Sequence, residues 1–311
     1  MADIIWSICA IGLIILIGWF LRRRAVIGPD AAKTLSALCY WVASPAMLFH
    51  AVASTDVARV LGRPLWVAAA SGIGSALVFI IVAGGIMGLR RGDLVLGAMS
   101  SSLNNAAYIG IPIAVYVLGD ASRVVPVLVF QLGFFTPMFF VLADLAGSER
   151  APTPRLVATT VATNPMVVAA AAGFVFSWFE LPVPRVVDVA AGMLGEAAPP
   201  MILLAFGASL VGQGFSMRTA GGGAIVVASL AKLVVQPLVA CSVGALIGMT
   251  GIDLMAVTIM AGMPTAQNAF IAATRAGTGE RIAQGTVLVT TFASLPLTIA
   301  TAWAFHALAG V

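Results

Sequence analysis

Charge is scarce in this chain. Only 9% of its 311 residues are Asp, Glu, Lys or Arg, and histidine occurs twice. A water-facing surface draws on roughly a quarter charged residues, so an ordinary soluble domain is excluded. Cysteine is sparser still: Cys9, Cys39 and Cys241 all lie in apolar runs, where a lone thiol fills space. That placement gives no disulfide framework and no zinc cluster. A Walker loop, a hydrolase nucleophile elbow and zinc-type His spacing are missing too, and Gly221-Gly222-Gly223 follows no strand that would make it a phosphate cradle. No catalytic constellation and no metal site remain. The net charge of +4 does not indicate nucleic acid either, because the arginines gather at the ends of apolar runs.

What is present is hydrophobic: 61% of the residues, with a mean hydropathy of +1.07. The apolar stretches exceed the roughly 18 to 20 residues that cross a bilayer as helix, and the short alternating segments of a β-barrel are lacking. The expected fold is an all-α membrane protein with ten transmembrane helices, at 4–21, 31–54, 65–89, 93–118, 123–147, 156–179, 185–211, 220–248, 253–276 and 282–307. The first run precedes Arg22-Arg23-Arg24, the reverse of a signal peptide's charge order, so it counts as a membrane helix.

Charge places the ends. With the N-terminus outside, Arg22, Arg23, Arg24, Lys33, Arg90, Arg91, Arg150, Arg155, Arg218, Arg275 and Arg281 fall on the inner side, and Arg59, Arg63, Arg123 and Arg185 on the outer. This satisfies the positive-inside rule and predicts a multi-pass protein of the inner (plasma) membrane with both termini external. His50 and His306 then lie near the outer interface. The polar, proline-marked stretch around Pro152 and Pro154 divides the chain into a first five-helix repeat (1–147), a short cytoplasmic linker (148–155) and a second five-helix repeat (156–311). An odd helix number per half inverts the second half relative to the first. Pro45 with Pro199, Pro112 with Pro264, and Pro137 with Pro296 are spaced as an internal duplication would place them.

Two of the expected helices are interrupted at corresponding places. One reads Asn104-Asn105-Ala106-Ala107-Tyr108-Ile109-Gly110-Ile111-Pro112, the other Pro264-Thr265-Ala266-Gln267-Asn268. Pro112 offers no N–H to the carbonyl of Tyr108, and Pro264 is placed to open a new half-helix. Inside a bilayer such breaks are tolerated only within protein or along a cavity, and a matched pair of them points to a transport site. The exposed N-terminus of a half-helix favours an anion. Asn104, Asn105, Gly110, Pro112, Pro264, Gln267 and Asn268 are therefore the expected substrate-binding residues. The amides precede the proline in one break and follow it in the other, so one half is expected to bind substrate and the other the coupling ion.

Lys232 sits near the middle of the eighth expected span, which costs at least a few kcal/mol unless it is paired or faces water. Glu196, just before Pro199-Pro200, and Asp144, near the inner end of the fifth span, are its candidate partners. The three are expected to serve charge compensation or ion coupling.

At these residues the chain resembles the auxin efflux carrier family, related to the bile acid:sodium symporters. The resemblance covers nearly the whole chain. It rests on Ser44-Pro45-Ala46-Met47-Leu48-Phe49, Asn104-Asn105 with Gly110-Ile111-Pro112, Asn164-Pro165, the stretch from Pro200 to Leu210, Lys232-Leu233 with Pro237, and Met263-Pro264-Thr265-Ala266-Gln267-Asn268-Ala269-Phe270. It implies two inverted five-helix repeats whose fourth and ninth helices cross at the substrate, with helices 1, 2, 6 and 7 as a scaffold. It implies small organic anions such as malate or malonate as substrate, carried by secondary active transport. The short central loop is that of a bacterial-type member. A passive facilitator and a sodium-coupled symporter are the alternatives, with H+ or Na+ open as coupling ion. Beyond the lipid bilayer and the anion, a homodimer is an expected partner arrangement; no cofactor and no nucleic acid are expected.

Overall fold

The computed structural model describes residues 2–54, 62–89, 91–110, 113–114, 117–148, 153–211 and 222–309. Among these there is no strand, only one isolated β-bridge. The helices are α1 Ala2–Arg23, α2 Ala31–Ala53, α3 Arg63–Ile86, α4 Arg91–Ser100, α5 Ser122–Gly147, α6 Pro154–Thr163, α7 Pro165–Trp178, α8 Arg185–Ser209, α9 Gly222–Leu246, α10 Gly251–Ala261, α11 Asn268–Ala276 and α12 Glu280–Ala309. A short π-helical turn, Ala106–Gly110, follows α4.

Among the described residues, α2, α3, α5, α8, α9 and α12 are each long and apolar enough to cross a membrane. The pair α6 and α7 makes a seventh, bent by 65°. The sequence predicted one straight helix over 156–179; Asn164 interrupts it. Its Oδ1 accepts from the N–H groups of Met166 (3.0 Å) and Val167 (3.3 Å), an N-cap, and Pro165 occupies the first helical position.

Proline shapes three of the long helices in the same way. Cys39–Ala43 in α2, Gln131–Phe135 in α5 and Ala231–Val235 in α9 are π-helical, and each ends two residues before a proline: Pro45, Pro137 and Pro237. A proline leaves the carbonyl four residues back without its donor, and a wider i→i−5 turn absorbs the defect. Pro199 and Pro200 in α8 and Pro296 in α12 lie inside helices that stay α-helical.

The helices form two packed groups. In the first, α8 lies against α1 and α2, and α7 against α2. Backbones touch there, because a Cβ on Gly207 would stand 2.0 Å from the carbonyl oxygen of Ile15, and one on Gly18 would stand 2.3 Å from that of Leu204. Small residues allow helices in lipid to approach this closely. The second group, α3, α4, α5 and α9 to α12, encloses most of the buried core, including Phe79, Met99, Leu103 and Phe140. The two interrupted segments run through it.

Candidate functional site

Helix α4 ends at Ser100 and α10 at Ala261, each too short to cross a bilayer alone. Beyond these ends the chain unwinds, and the two extended segments meet side by side. Asn104 and Thr265 form an antiparallel β-bridge, in which Asn105 donates its N–H to Pro264 O (2.8 Å) and Ala266 donates to Leu103 O (3.1 Å). The first break thus lies upstream of the asparagines, earlier than Pro112 suggested; Pro112 itself lies outside the described residues. Pro264 does not open the new half-helix either, since α11 starts at Asn268 with Gln267 as its N-cap.

An unwound segment inside a membrane must find a partner for each backbone carbonyl. At the end of α4 this is done one residue at a time. Thr265 Oγ1 donates to Ser100 O (2.6 Å), Ser75 Oγ bonds Ser101 O (2.6 Å), and Gln236 Nε2 donates to Ser102 O (3.1 Å). Ser75 Oγ also lies 2.9 Å from Ala231 O, where the π-helical turn of α9 begins. At the end of α10 the cap is charged: Lys232 Nζ donates to Ala261 O (2.8 Å) and to Asn104 Oδ1. Lys232 is fully buried.

A narrow cavity of about 40 Å³ borders the crossing. The breaks contribute Asn104, Asn105, Gln267 and Asn268; α5 contributes Gln131 and Thr136; α2 and α8 contribute Ser44, Met47, Pro199 and Ile202. The cavity therefore lies between the two packed groups. Its amides are polarised by what they bind inward. Gln131 Oε1 accepts from the N–H of Asn104 (3.2 Å), and Asn104 Oδ1 accepts from Lys232, so both oxygens are turned to internal donors. The amide nitrogens are left to donate. Asn105 Nδ2 is buried without a partner, and among the described residues the N–H groups of Gln267 and Asn268 have no backbone acceptor. The wall next to α11 is rich in donors.

A family model described as membrane transport protein matches residues 3–160 and again residues 153–301. The chain belongs to this family, the auxin efflux carriers. A protein of Rhizobium meliloti (strain 1021) named "Putative malonate transporter" is 27% identical over 307 residues, covering 95% of this chain and 93% of that one. An uncharacterized transporter of Methanothermobacter thermautotrophicus is 22% identical, with 93% and 94% covered. One from Methanocaldococcus jannaschii is 20% identical, with 91% and 92% covered.

In this auxin efflux carrier relative the expected site residues separate. Asn104, Asn105, Gln267 and Asn268 all line the cavity, and Pro264 supplies a carbonyl to the bridge. Gly110 is buried in packing, where a Cβ would meet Val124 at 3.2 Å. Glu196 is exposed on α8 and does not reach Lys232. Depth along a helix gives height but not direction, and Glu196 points away. Asp144 is not the partner either. It pairs with Arg275 Nε (3.1 Å) and accepts from Tyr40 OH (3.2 Å) and Asn164 Nδ2 (3.3 Å), while the Arg275 guanidinium stacks 3.8 Å over the Tyr40 ring. This cluster ties α5 and α11 to α2 and the α6–α7 bend.

Sequence reading missed Gln131, Thr136, Ser44, Ser75 and Gln236. A signal was present: Ser44, Thr136 and Gln236 each directly precede the proline that follows a π-helical turn.

Proposed function

We propose that this protein is a secondary active transporter of small carboxylates, and that substrate binds in the cavity at the crossing. One observation carries the reading: the crossing presents the unpartnered amide nitrogen of Asn105 and half-helix N–H groups, while the amide oxygens of Asn104 and Gln131 are held by internal donors. Such a surface accepts a carboxylate and repels a cation. Asn104, Asn105, Gln267 and Asn268 are its proposed ligands, with Gln131 as a fifth amide. The name of the Rhizobium meliloti relative supports a dicarboxylate of malonate size.

The reading includes ten crossings: the seven apolar spans, α1, and the two interrupted segments, each counted once. Residues 1–147 and 156–311 then form inverted repeats joined by a cytoplasmic linker at 148–155, in the inner (plasma) membrane with both termini outside. The group α1, α2, α7 and α8 serves as scaffold, and the crossing group moves against it by rocking or an elevator-like shift. A homodimer is compatible with this arrangement.

Reconstitution into proteoliposomes tests it. Vesicles loaded with unlabelled malonate are expected to show saturable counterflow of labelled malonate, reduced at least ten-fold by Asn105→Ala and by Asn268→Ala. Flux that is linear in concentration and shows no counterflow would make the protein a passive facilitator. Malonate uptake unchanged in both variants would move the site elsewhere.

A further inference from the structure

Helix α1 packs backbone to backbone on α8 at Gly18 and Gly207, but on its flank toward α12 the side chains do not close. A groove of about 490 Å³ remains there, lined by Ile15, Leu16 and Trp19 of α1, Leu210 just past α8, and Leu288 and Phe292 of α12. That size is within the usual range of a ligand site. The walls are aliphatic and aromatic, and Leu16 and Phe292 are 61% and 70% exposed, so the groove opens sideways toward lipid. One rim belongs to each packed group. Cations stand at its mouth. Ile15, Trp19, Arg22 and Arg23 follow one another at helical spacing along one face of α1, and the Arg23 guanidinium lies 4.8 Å over the Trp19 ring. Stacking leaves the edge N–H groups of a guanidinium free for an anion. Among the described residues no carboxylate pairs with Arg22, Arg23 or Arg24. The positive-inside rule sets this end of α1 at the cytoplasmic interface, where lipid phosphates lie.

We propose that the groove between α1 and α12 is a binding site for an anionic phospholipid, with an acyl chain along Trp19, Leu288 and Phe292 and the phosphate held by Arg22 and Arg23. A zwitterionic lipid brings its own cation to the same place, where the arginines repel it, so the site selects headgroups of net negative charge. A second copy of the chain fits less well. In the same orientation it would set its own Arg22 and Arg23 at the same depth, cation against cation. The bound lipid touches both packed groups, since α1 and Leu210 belong to one and α12 to the other. The proposal rests on α1 crossing the membrane, as counted above, and is independent of which solute is carried.

The test is quenching of Trp19 fluorescence by phospholipids with brominated acyl chains, in the full-length protein with Phe at its other tryptophans. Brominated phosphatidylglycerol is expected to bind at Trp19 at least about five-fold more tightly than brominated phosphatidylcholine, the factor that one well-placed arginine supplies. A matching protein that keeps only Trp303, 71% exposed on α12, is expected to show no preference. Equal binding of both lipids at Trp19, or the same preference at Trp303, means ordinary annular lipid and overturns the site. Arg22→Gln combined with Arg23→Gln leaves Arg24 and Lys33 to hold this end of α1 inside, and is expected to bring the two lipids to parity at Trp19. An unchanged preference overturns the arginine assignment. If neither lipid reaches Trp19, the proposal fails in one of two ways: a dimeric protein means that a second copy covers the face, and a monomeric one that α1 does not cross. Wild type in detergent decides the matter should the tryptophan-depleted protein not fold. Added phosphatidylglycerol is expected to raise its melting temperature more than phosphatidylcholine does, and the double arginine variant to lose that gain. Equal melting with both lipids overturns the proposal.

Discussion

A single unpartnered atom, Asn105 Nδ2, is the most telling group in the cavity. A buried amide nitrogen without an acceptor costs about 1–3 kcal/mol, and a ligand carboxylate would recover that cost. Truncating Asn105 to Ala removes the penalty along with the donor. The variant is therefore expected to melt at the wild-type temperature or above while its malonate affinity falls about ten- to a hundred-fold, the range of a hydrogen bond to a charged group. Thermal melts and counterflow on the same preparation check both halves. Gln131 should behave oppositely. Its Oε1 satisfies the N–H of Asn104, so Gln131→Leu strands a backbone donor and is expected to lower both stability and uptake. The asparagines and Gln267 were legible from sequence because amides beside a proline in an apolar run have few other uses. Gln131 was not, because one amide in a long apolar helix reads equally well as interhelical glue. The partner of Lys232 escaped for another reason. A buried lysine in an apolar helix points to a carboxylate partner, whereas the structure uses the backbone carbonyl freed where α10 stops and the side-chain oxygen of Asn104.

Among the elements, the three π-helical turns that precede a proline decide which way side chains face. An extra residue within a turn rotates everything beyond it by about 100° relative to a regular helix. Lys232 lies in such a turn, opened by Pro237. Pro237→Ala restores a donor to the carbonyl of Leu233 and allows the turn to tighten, which would swing Lys232 off Asn104. This variant is expected to lose malonate uptake about as fully as Lys232→Ala, although Pro237 does not line the cavity at the crossing. The prolines were visible in sequence, but the geometry they produce was not, since Pro199, Pro200 and Pro296 sit in helices that remain regular. Glycine works at this scale too. Gly207→Val would drive a side chain into the backbone of α1 at Ile15 and is expected to cost more than the 1–3 kcal/mol of ordinary overpacking. A melting temperature within 2 °C of wild type would contradict that close approach.

Across the whole molecule, the cavity at the crossing and the Asp144 cluster lie on the same seam. Tyr40 and Asn164 come from α2 and the α6–α7 bend, Asp144 and Arg275 from α5 and α11, so the four residues clasp one packed group to the other. Any relative motion of the groups has to release this clasp. Arg275→Ala removes the ion pair and the guanidinium that stacks on Tyr40 and Trp41, and is expected to shift the resting population toward the other state. Single-cysteine labelling at Ser44 in a background lacking the native cysteines reads the shift as a change in modification rate; an unchanged rate would show that the seam is held elsewhere. The breaks themselves are held far more firmly. Three hydrogen bonds join the crossing segments directly, and Lys232 spans them as a fourth link. At about 4–6 kcal/mol each where no water replaces them, parting the segments would cost on the order of 20 kcal/mol. A barrier of that height is crossed on the order of once a minute. A carrier that turns over faster than that has to move the crossing as an unopened knot, with the scaffold side of the cavity changing around it.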